Sequence, residues 1–252
     1  MIEGIVLYDS LDFPAVNDLA VRLSPSSNRL LASLPPEELR SVMGAMEEVA
    51  LSSRRPLKDA QGSFASLYFI GKGLVSLCTP SGKGEDVETS LIGKEGVVGA
   101  PLALGVMSCP GRAVVRVDGK AWRLAANHLP GLMELNKTFA ALLLRYAATQ
   151  MFETAQNAAC ASRHTIAQRL ARWLLTSADR LAAPLVTCTH DTLSQALGVR
   201  RAGVTVGLGQ IEQTGAIRQN RGSVDVLDRH KLETRSCDCY SLSRLTYQRV
   251  MG

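Results

Sequence analysis

The 252-residue chain has no run of apolar residues long enough to cross a membrane. Its longest weakly polar stretch, residues 96–107, falls well short of the roughly 20 residues a spanning helix needs, and glycine and proline interrupt it. The first eight residues lack the basic start and long apolar segment of a secretory signal. These absences predict a cytoplasmic location, no membrane partner and reduced cysteines. Also missing are the phosphate loops G-x-G-x-x-G and Walker A, the nucleophile elbow G-x-S-x-G and the zinc-protease signature H-E-x-x-H. No enzymatic role is expected. His128, His164, His190 and His230 are scattered, with no acidic or cysteine partner at ligand spacing. Among six cysteines only Cys237 and Cys239 are close-set, and no C-x2-C pair completes a tetrahedral site. That pair reads as a surface turn, and neither a metal nor a cofactor is expected.

What is present reads as a folded α+β chain, with 46% hydrophobic and 20% charged residues. Residues 1–28 have weak periodicity and form an expected leader. Residues 28–48 read as helical, with Leu30, Leu31 and Leu34 before Pro35-Pro36 and a second helix after them. Short apolar runs then follow at 66–70, 73–78, 87–92, 112–117 and 120–124. They are separated by glycine turns at Gly71-Lys72-Gly73, at Ser81 to Gly84 and at Asp118-Gly119, the last a two-residue hairpin signal. Many short strands with glycine turns predict a β-roll over 29–131. Residues 132–160 read as one long helix. Its seam of Leu135, Phe139, Leu142 and Tyr146, repeating by threes and fours, predicts the interface of a homodimer. A further helix follows at 165–181.

The remaining segment, 161–240, reads as a winged helix, with a short tail at 241–252. Thr189 is a natural N-cap. Leu193, Ala196 and Leu197 make one helical face, and Gly198 stops that helix. Val204, Leu208 and Ile211 continue the spacing on a second helix that Arg200 and Arg201 open and Gly215 ends. A strand, a turn at Asn220-Arg221-Gly222 and a returning strand complete the wing. A second helix of this kind enters the DNA major groove, where arginines reach base edges and phosphates. Charge agrees: residues 161–252 carry 13 Lys and Arg against 7 Asp and Glu, a net +6, whereas the rest of the chain comes to −1. Counterion release from a phosphate backbone uses such an excess. Double-stranded DNA is therefore the expected partner. The competing reading is a ligand-sensing roll whose helical domain contacts protein; it predicts no salt-dependent affinity for duplex DNA.

The order of roll, long helix and winged helix resembles the cyclic-AMP receptor/fumarate-nitrate regulator (CRP/FNR) superfamily of bacterial transcription regulators. The resemblance covers roughly residues 28–240. It is sharpest at 189–217 and good at Leu67 to Val75 and at Ile92 to Gly99. It implies a cyclic-nucleotide-binding-like sensor, a dimerisation helix, a two-fold symmetric operator and RNA polymerase as a further partner. It also implies base reading by Arg201; Thr205 is expected to face the bases with it, and Arg200, Arg221, Thr189 and His190 are expected on phosphates. Ala202 and Val206 stand at two other usual base-reading positions, so the preferred operator should depart from the best-known consensus of the family. The cyclic-nucleotide motif departs too. Its carboxylate is absent at Gly99-Ala100-Pro101, and its arginine stands one position late, at Arg112, on the opposite strand face. Residues 1–60 hold no cysteine for an iron–sulfur cluster. Cyclic AMP is thus not the expected effector, and the effector is left open.

Overall fold

Asn28 anchors the first ordered turn. Its carboxamide oxygen accepts from the Leu30 and Leu31 amides, and its nitrogen donates to the carbonyls of Ile70 and Gly96, both at 2.9 Å. It is fully buried, so it belongs to the roll and not to a loose leader. The computed structural model describes residues 22–252 apart from 54, 59–61 and 83–85, and the expected leader lies outside the described residues up to position 21. Helices α1 (Arg29–Ala32) and α2 (Pro36–Met43) follow, with Pro36 in the first turn where its missing N–H costs nothing. The helix expected to run to residue 48 stops at Gly44. Met46–Leu51 is strand β1, because the whole segment pairs with a later strand, from Met46↔Leu124 to Leu51↔Gly119. Sheet pairing outweighs the helical preference of Met46-Glu47-Glu48.

Strands β2 (Pro56–Lys58), β3 (Ser66–Pro80), β4 (Asp86–Ile92), β5 (Val97–Val98) and β6 (Arg112–Ala125) complete an antiparallel roll. Its order is β1-β6-β3-β4, with β2 on β6 and β5 on β3. The turns predicted at 71–73 and at Asp118-Gly119 do not form. Both stretches run straight through β3 and β6, which pair with each other from Ser66↔Ala125 to Cys78↔Arg112, with register shifts between Ile70 and Val75. Gly73 takes φ +98°, and a Cβ on Gly119 would sit 1.9 Å from the Lys72 carbonyl oxygen. The glycines let two backbones pass at a bulge, a second meaning of glycine in strand sequences.

The long helix is interrupted. Helix α3 (Leu129–Leu135) ends at Asn136, whose side chain donates to the Leu132 carbonyl, and α4 (Lys137–Arg163) starts afresh. The dimer seam read from sequence is corrected here. Phe139, Leu142 and Tyr146 are buried against the roll of their own chain, Phe139 lying 6.1 Å from the Phe69 ring. Leu135 ends α3, 79% exposed. The outward face of α4 carries instead Ala141, Leu144, Ala148, Met151, Ala155 and Ala158, also alternating by three and four. Among the described residues no helix is long and apolar enough to cross a membrane.

Helix α5 (Ile166–Leu181) opens on a capping box between Thr165 and Gln168. Then come β7 (Leu185–Thr187), α6 (His190–Leu197), α7 (Arg201–Glu212), the hairpin β8 (Ile217–Asn220) and β9 (Ser223–Val226), and α8 (Arg229–Arg235). The expected tail is a helix, α9 (Cys239–Met251), that lies along α4. At its far end the Tyr247 hydroxyl donates to the Glu95 carbonyl at 2.6 Å, and Tyr247 and Met251 pack on the roll.

Roll and helical domain meet through side chains of both. Leu74 and Leu91 of the roll join the cluster built from Leu170, Leu174, Leu193, Val204, Leu208 and Ile211. The Trp173 indole on α5 donates to Glu88 of β4 at 2.7 Å. Burial pushes the Glu88 carboxyl up from its ordinary range, opposed by hydrogen bonds from Ser76 and Trp173 and by the Arg116 charge. Arg180, half-buried on α5, pairs with Glu95 of the roll at 3.1 Å and with Glu153 of α4 at 2.7 Å, and donates to the Leu91 carbonyl.

Candidate nucleic-acid interface

Local chemistry builds the helix pair. The Thr189 hydroxyl accepts from the Thr192 amide at 3.1 Å, closing the N-terminus of α6. Gly198 takes the left-handed conformation, φ +63°, and its amide and that of Val199 return to the carbonyls of Gln195 and Ser194. Arg200 occupies the N-cap of α7 in extended conformation, and Arg201 is the first helical residue. Leu193, Ala196 and Leu197 of α6 and Val204, Leu208 and Ile211 of α7 close on one core. Two glycines set how closely α7 approaches α5. A Cβ on Gly203 would meet Ile166 at 2.8 Å, and one on Gly207 would meet Leu170 at 2.7 Å. Among the described residues nothing lies within 4 Å of a Cβ on Gly209, and the structure gives no reason for glycine there.

The outer face of α7 presents Arg201, Ala202, Thr205, Val206 and Gln210 to solvent. Arg201 meets Asp191 at 3.2 Å with both side chains about 70% exposed, a pair that costs little to open. Val206 is 61% exposed although apolar, and with Ala202 it forms a small greasy patch suited to a thymine methyl. Arg200 and Arg221 are exposed, the latter at the wing tip beside Gly222 in its φ +83° turn. Arg218 on β8 is an exposed cation that the sequence reading left out. Its place on a four-residue strand facing out was set by the pairing of β8 with β9.

His190 and Thr205 depart from their expected roles. The Gln219 carboxamide nitrogen donates to Glu212 at 2.8 Å, which leaves its oxygen to accept from His190 Nε2 at 3.1 Å. His190 Nδ1 then accepts from the Thr205 hydroxyl, 2.9 Å away. Both imidazole nitrogens are therefore engaged in tying α6, α7 and the wing together, and His190 is not a free phosphate ligand. The Thr205 hydroxyl also lies 3.2 Å from the Arg201 carbonyl, so its methyl group is the part left for a base.

Cys237 and Cys239 are not on a surface turn. Both are buried, and with Cys160 they make a third buried cluster of their own, with His164 beside it. Cys160 and His164, the C-cap residue, stand four apart at the end of α4, a ligand spacing present in the sequence itself.

Residues 168–235 match the Crp-like helix-turn-helix domain. Beyond that domain, the order of roll, long helix and helix-turn-helix is the fold of solved CRP/FNR-family structures. FixK2 from Bradyrhizobium japonicum superposes with a TM-score of 0.64 at 16% identity, over 76% of this chain and 98% of that one. TTHA1359, a CRP/FNR-family transcriptional regulator from Thermus thermophilus, gives 0.59 at 22% identity, over 75% and 98%. The c-di-GMP-responsive global regulator CLP of Xanthomonas campestris gives 0.59 at 14%, over 76% and 99%. At such identities the likeness is one of fold. No curated protein sequence matches this chain.

Proposed function

We propose that two copies of this chain bind a two-fold symmetric DNA site and regulate transcription from it. The observation that carries this reading is the exposed face of α7, headed by Arg201 and flanked by Arg200 and Arg221, on a Crp-like helix-turn-helix domain. Half-sites about one helical turn apart suit such a pair. A DNA partner implies the cytoplasm, and control of transcription implies contact with RNA polymerase from another surface.

Sites selected from a random duplex pool test the proposal. Arg201→Ala should weaken binding by about 1–3 kcal/mol and relax the preference at one base pair per half-site. Arg221→Ala should weaken all sequences alike and lower the slope of log affinity against log salt by about one. Identical behaviour of the two variants across operators defeats these assignments. Failure to enrich any sequence, with affinity independent of salt, defeats the DNA reading and favours the protein-contact one.

Cyclic AMP is not the proposed effector. Arg112 points outward and pairs with Asp86 at 2.6 Å. Ala100 is buried in the core where a ribose-binding carboxylate would be needed. The carbonyls of Cys109 and Gly111, just before Arg112, accept from the buried Lys58 ammonium, each at 2.7 Å, so that cation is held by the chain's own backbone. Each unmatched ligand group costs about 1–3 kcal/mol. Calorimetric titration with cyclic AMP and cyclic GMP should give no binding. Low-micromolar affinity together with tighter operator binding would overturn this. That CLP responds to c-di-GMP supports a non-cyclic-AMP effector on this fold.

A further inference from the structure

We propose that Cys160, His164, Cys237 and Cys239 hold one zinc ion, which pins helix α9 to the joint between α4 and α5. Nothing in the DNA reading calls for such a site.

Four ligand atoms, three thiol sulfurs and an imidazole nitrogen, all lie within 4.8 Å of one another. Cys160 Sγ is 3.5 Å from Cys237 Sγ, and Cys239 Sγ is 3.6 Å from His164 Nδ1. Tetrahedral zinc with the usual bond lengths places two sulfurs about 3.8 Å apart and a sulfur and nitrogen about 3.6 Å apart. Adjustments of a few tenths of an ångström to about 1 Å therefore complete the tetrahedron. An iron–sulfur cluster needs several iron and sulfide atoms between its cysteines, and ligands this close leave room for a single ion. Three thiolates and one imidazole are the donor set of structural zinc sites, and four protein ligands leave no open position for catalysis.

The ligands come from rigid pieces of backbone. Cys160 and His164 share one face of the last turn of α4, where the His164 amide donates to the Cys160 carbonyl at 3.1 Å. Cys237 and Cys239 bracket the start of α9, where the Tyr240 amide donates to the Cys237 carbonyl at 3.0 Å. The surroundings also fit an ion. Gln156 donates to Cys239 Sγ at 3.0 Å, as an outer-shell amide does to a coordinated thiolate. Three thiolates around a dication leave one net negative charge, and Arg172, buried, and Arg169, half-buried, lie within electrostatic reach of Cys160. In an apolar core the same volume would be filled by aliphatic side chains. Here the buried cluster consists of the three cysteines alone.

The site's position gives it a consequence. His164 is the residue between α4 and the N-cap of α5, the joint on which the helix-turn-helix domain is carried. From Cys239, α9 runs back along α4 to the roll. An ion at its start fixes the strap at the joint, and Tyr247 fixes it at the other end. Bound zinc thus holds the angle at which the DNA-binding domain leaves the dimer helix.

Zinc content of the full-length protein, expressed with zinc and kept reduced, is measured by plasma mass spectrometry. The expected result is about one zinc per chain. Cobalt in its place should show intense tetrahedral ligand-field bands and thiolate charge transfer. Chelation should lower the thermal midpoint by roughly 5–10 °C, restored by zinc. Cys237→Ser and His164→Ala should lose the ion, and Cys109→Ser should keep it. If the ligand variants do not fold, the zinc count and cobalt spectrum of the unaltered chain decide. Substoichiometric metal with no cobalt uptake overturns the assignment, as does a Cys160–Cys237 disulfide in protein prepared without oxygen. Operator binding is scored separately, so failure here leaves the proposed function standing.

Discussion

Arg180→Met is expected to lower the thermal midpoint by roughly 10 °C. Arg180 stands where roll, α4 and α5 meet, between Glu95 and Glu153. Its side chain is only 14% exposed and that of Glu95 11%, so both charges are largely withdrawn from water. Removing one partner of a buried pair typically costs about 3–5 kcal/mol, because the other charge is left buried. In a chain of this size each kcal/mol shifts the midpoint by about 2–4 °C. The surrounding backbone is shaped to the same group. A Cβ on Gly93 would lie 2.6 Å from the Arg180 Cβ, and one on Gly96 would lie 2.0 Å from the hydroxyl of the neighbouring Tyr146. Methionine keeps the aliphatic stem and deletes the charge, which separates packing from electrostatics. Thermal melts beside Arg221→Met, a surface control, decide it. A shift below about 2 °C, less than 1 kcal/mol, would show the junction to be incidental.

Met151→Glu is expected to yield a monomer and to weaken binding to a two-fold site by about 10²–10⁴-fold, the gain that linking two modules normally brings. The outward stripe of α4 is small and apolar from Ala141 through Leu144, Ala148, Met151 and Ala155 to Ala158, which lets two helices approach closely. Met151 is 68% exposed in the single chain, so the charge disturbs no packing within it. A glutamate at this seam would face its own copy across the two-fold axis and be desolvated there. Sedimentation should report a single chain, and affinity for an isolated half-site should be unchanged. A dimer that persists with full operator affinity places the interface elsewhere. Phe139→Glu would give a different outcome, since Phe139 is fully buried in the roll core: unfolding, not dissociation.

The sequence by itself determined the elements whose signals are local. Thr189, the 3–4 spacing of Leu193, Ala196 and Leu197, and Gly198 act within a single turn of backbone, so the helix-turn-helix was legible residue by residue. The same holds for the helix at 165–181 and the hairpin that turns at Arg221-Gly222. Arg201 and Arg221 were legible because a helix start and a hairpin tip are exposed wherever they occur. Tertiary structure decided whatever depended on which surfaces meet. The sequence pattern of α4 is apolar on two faces, and only the roll, by covering Phe139, Leu142 and Tyr146, decides that the stripe through Leu144 and Met151 is the exposed one. The glycines of β3 and β6 looked like turns because local sequence cannot distinguish a reversal from a close crossing, and only strand pairing set Gly73 against Gly119. His190 read as a phosphate ligand in the sequence until the wing brought Gln219 to it. Cys160 and Cys237 lie 77 positions apart, and no period or spacing relates them. They meet because α9 folds back along α4, a consequence of packing between elements that neither segment encodes alone.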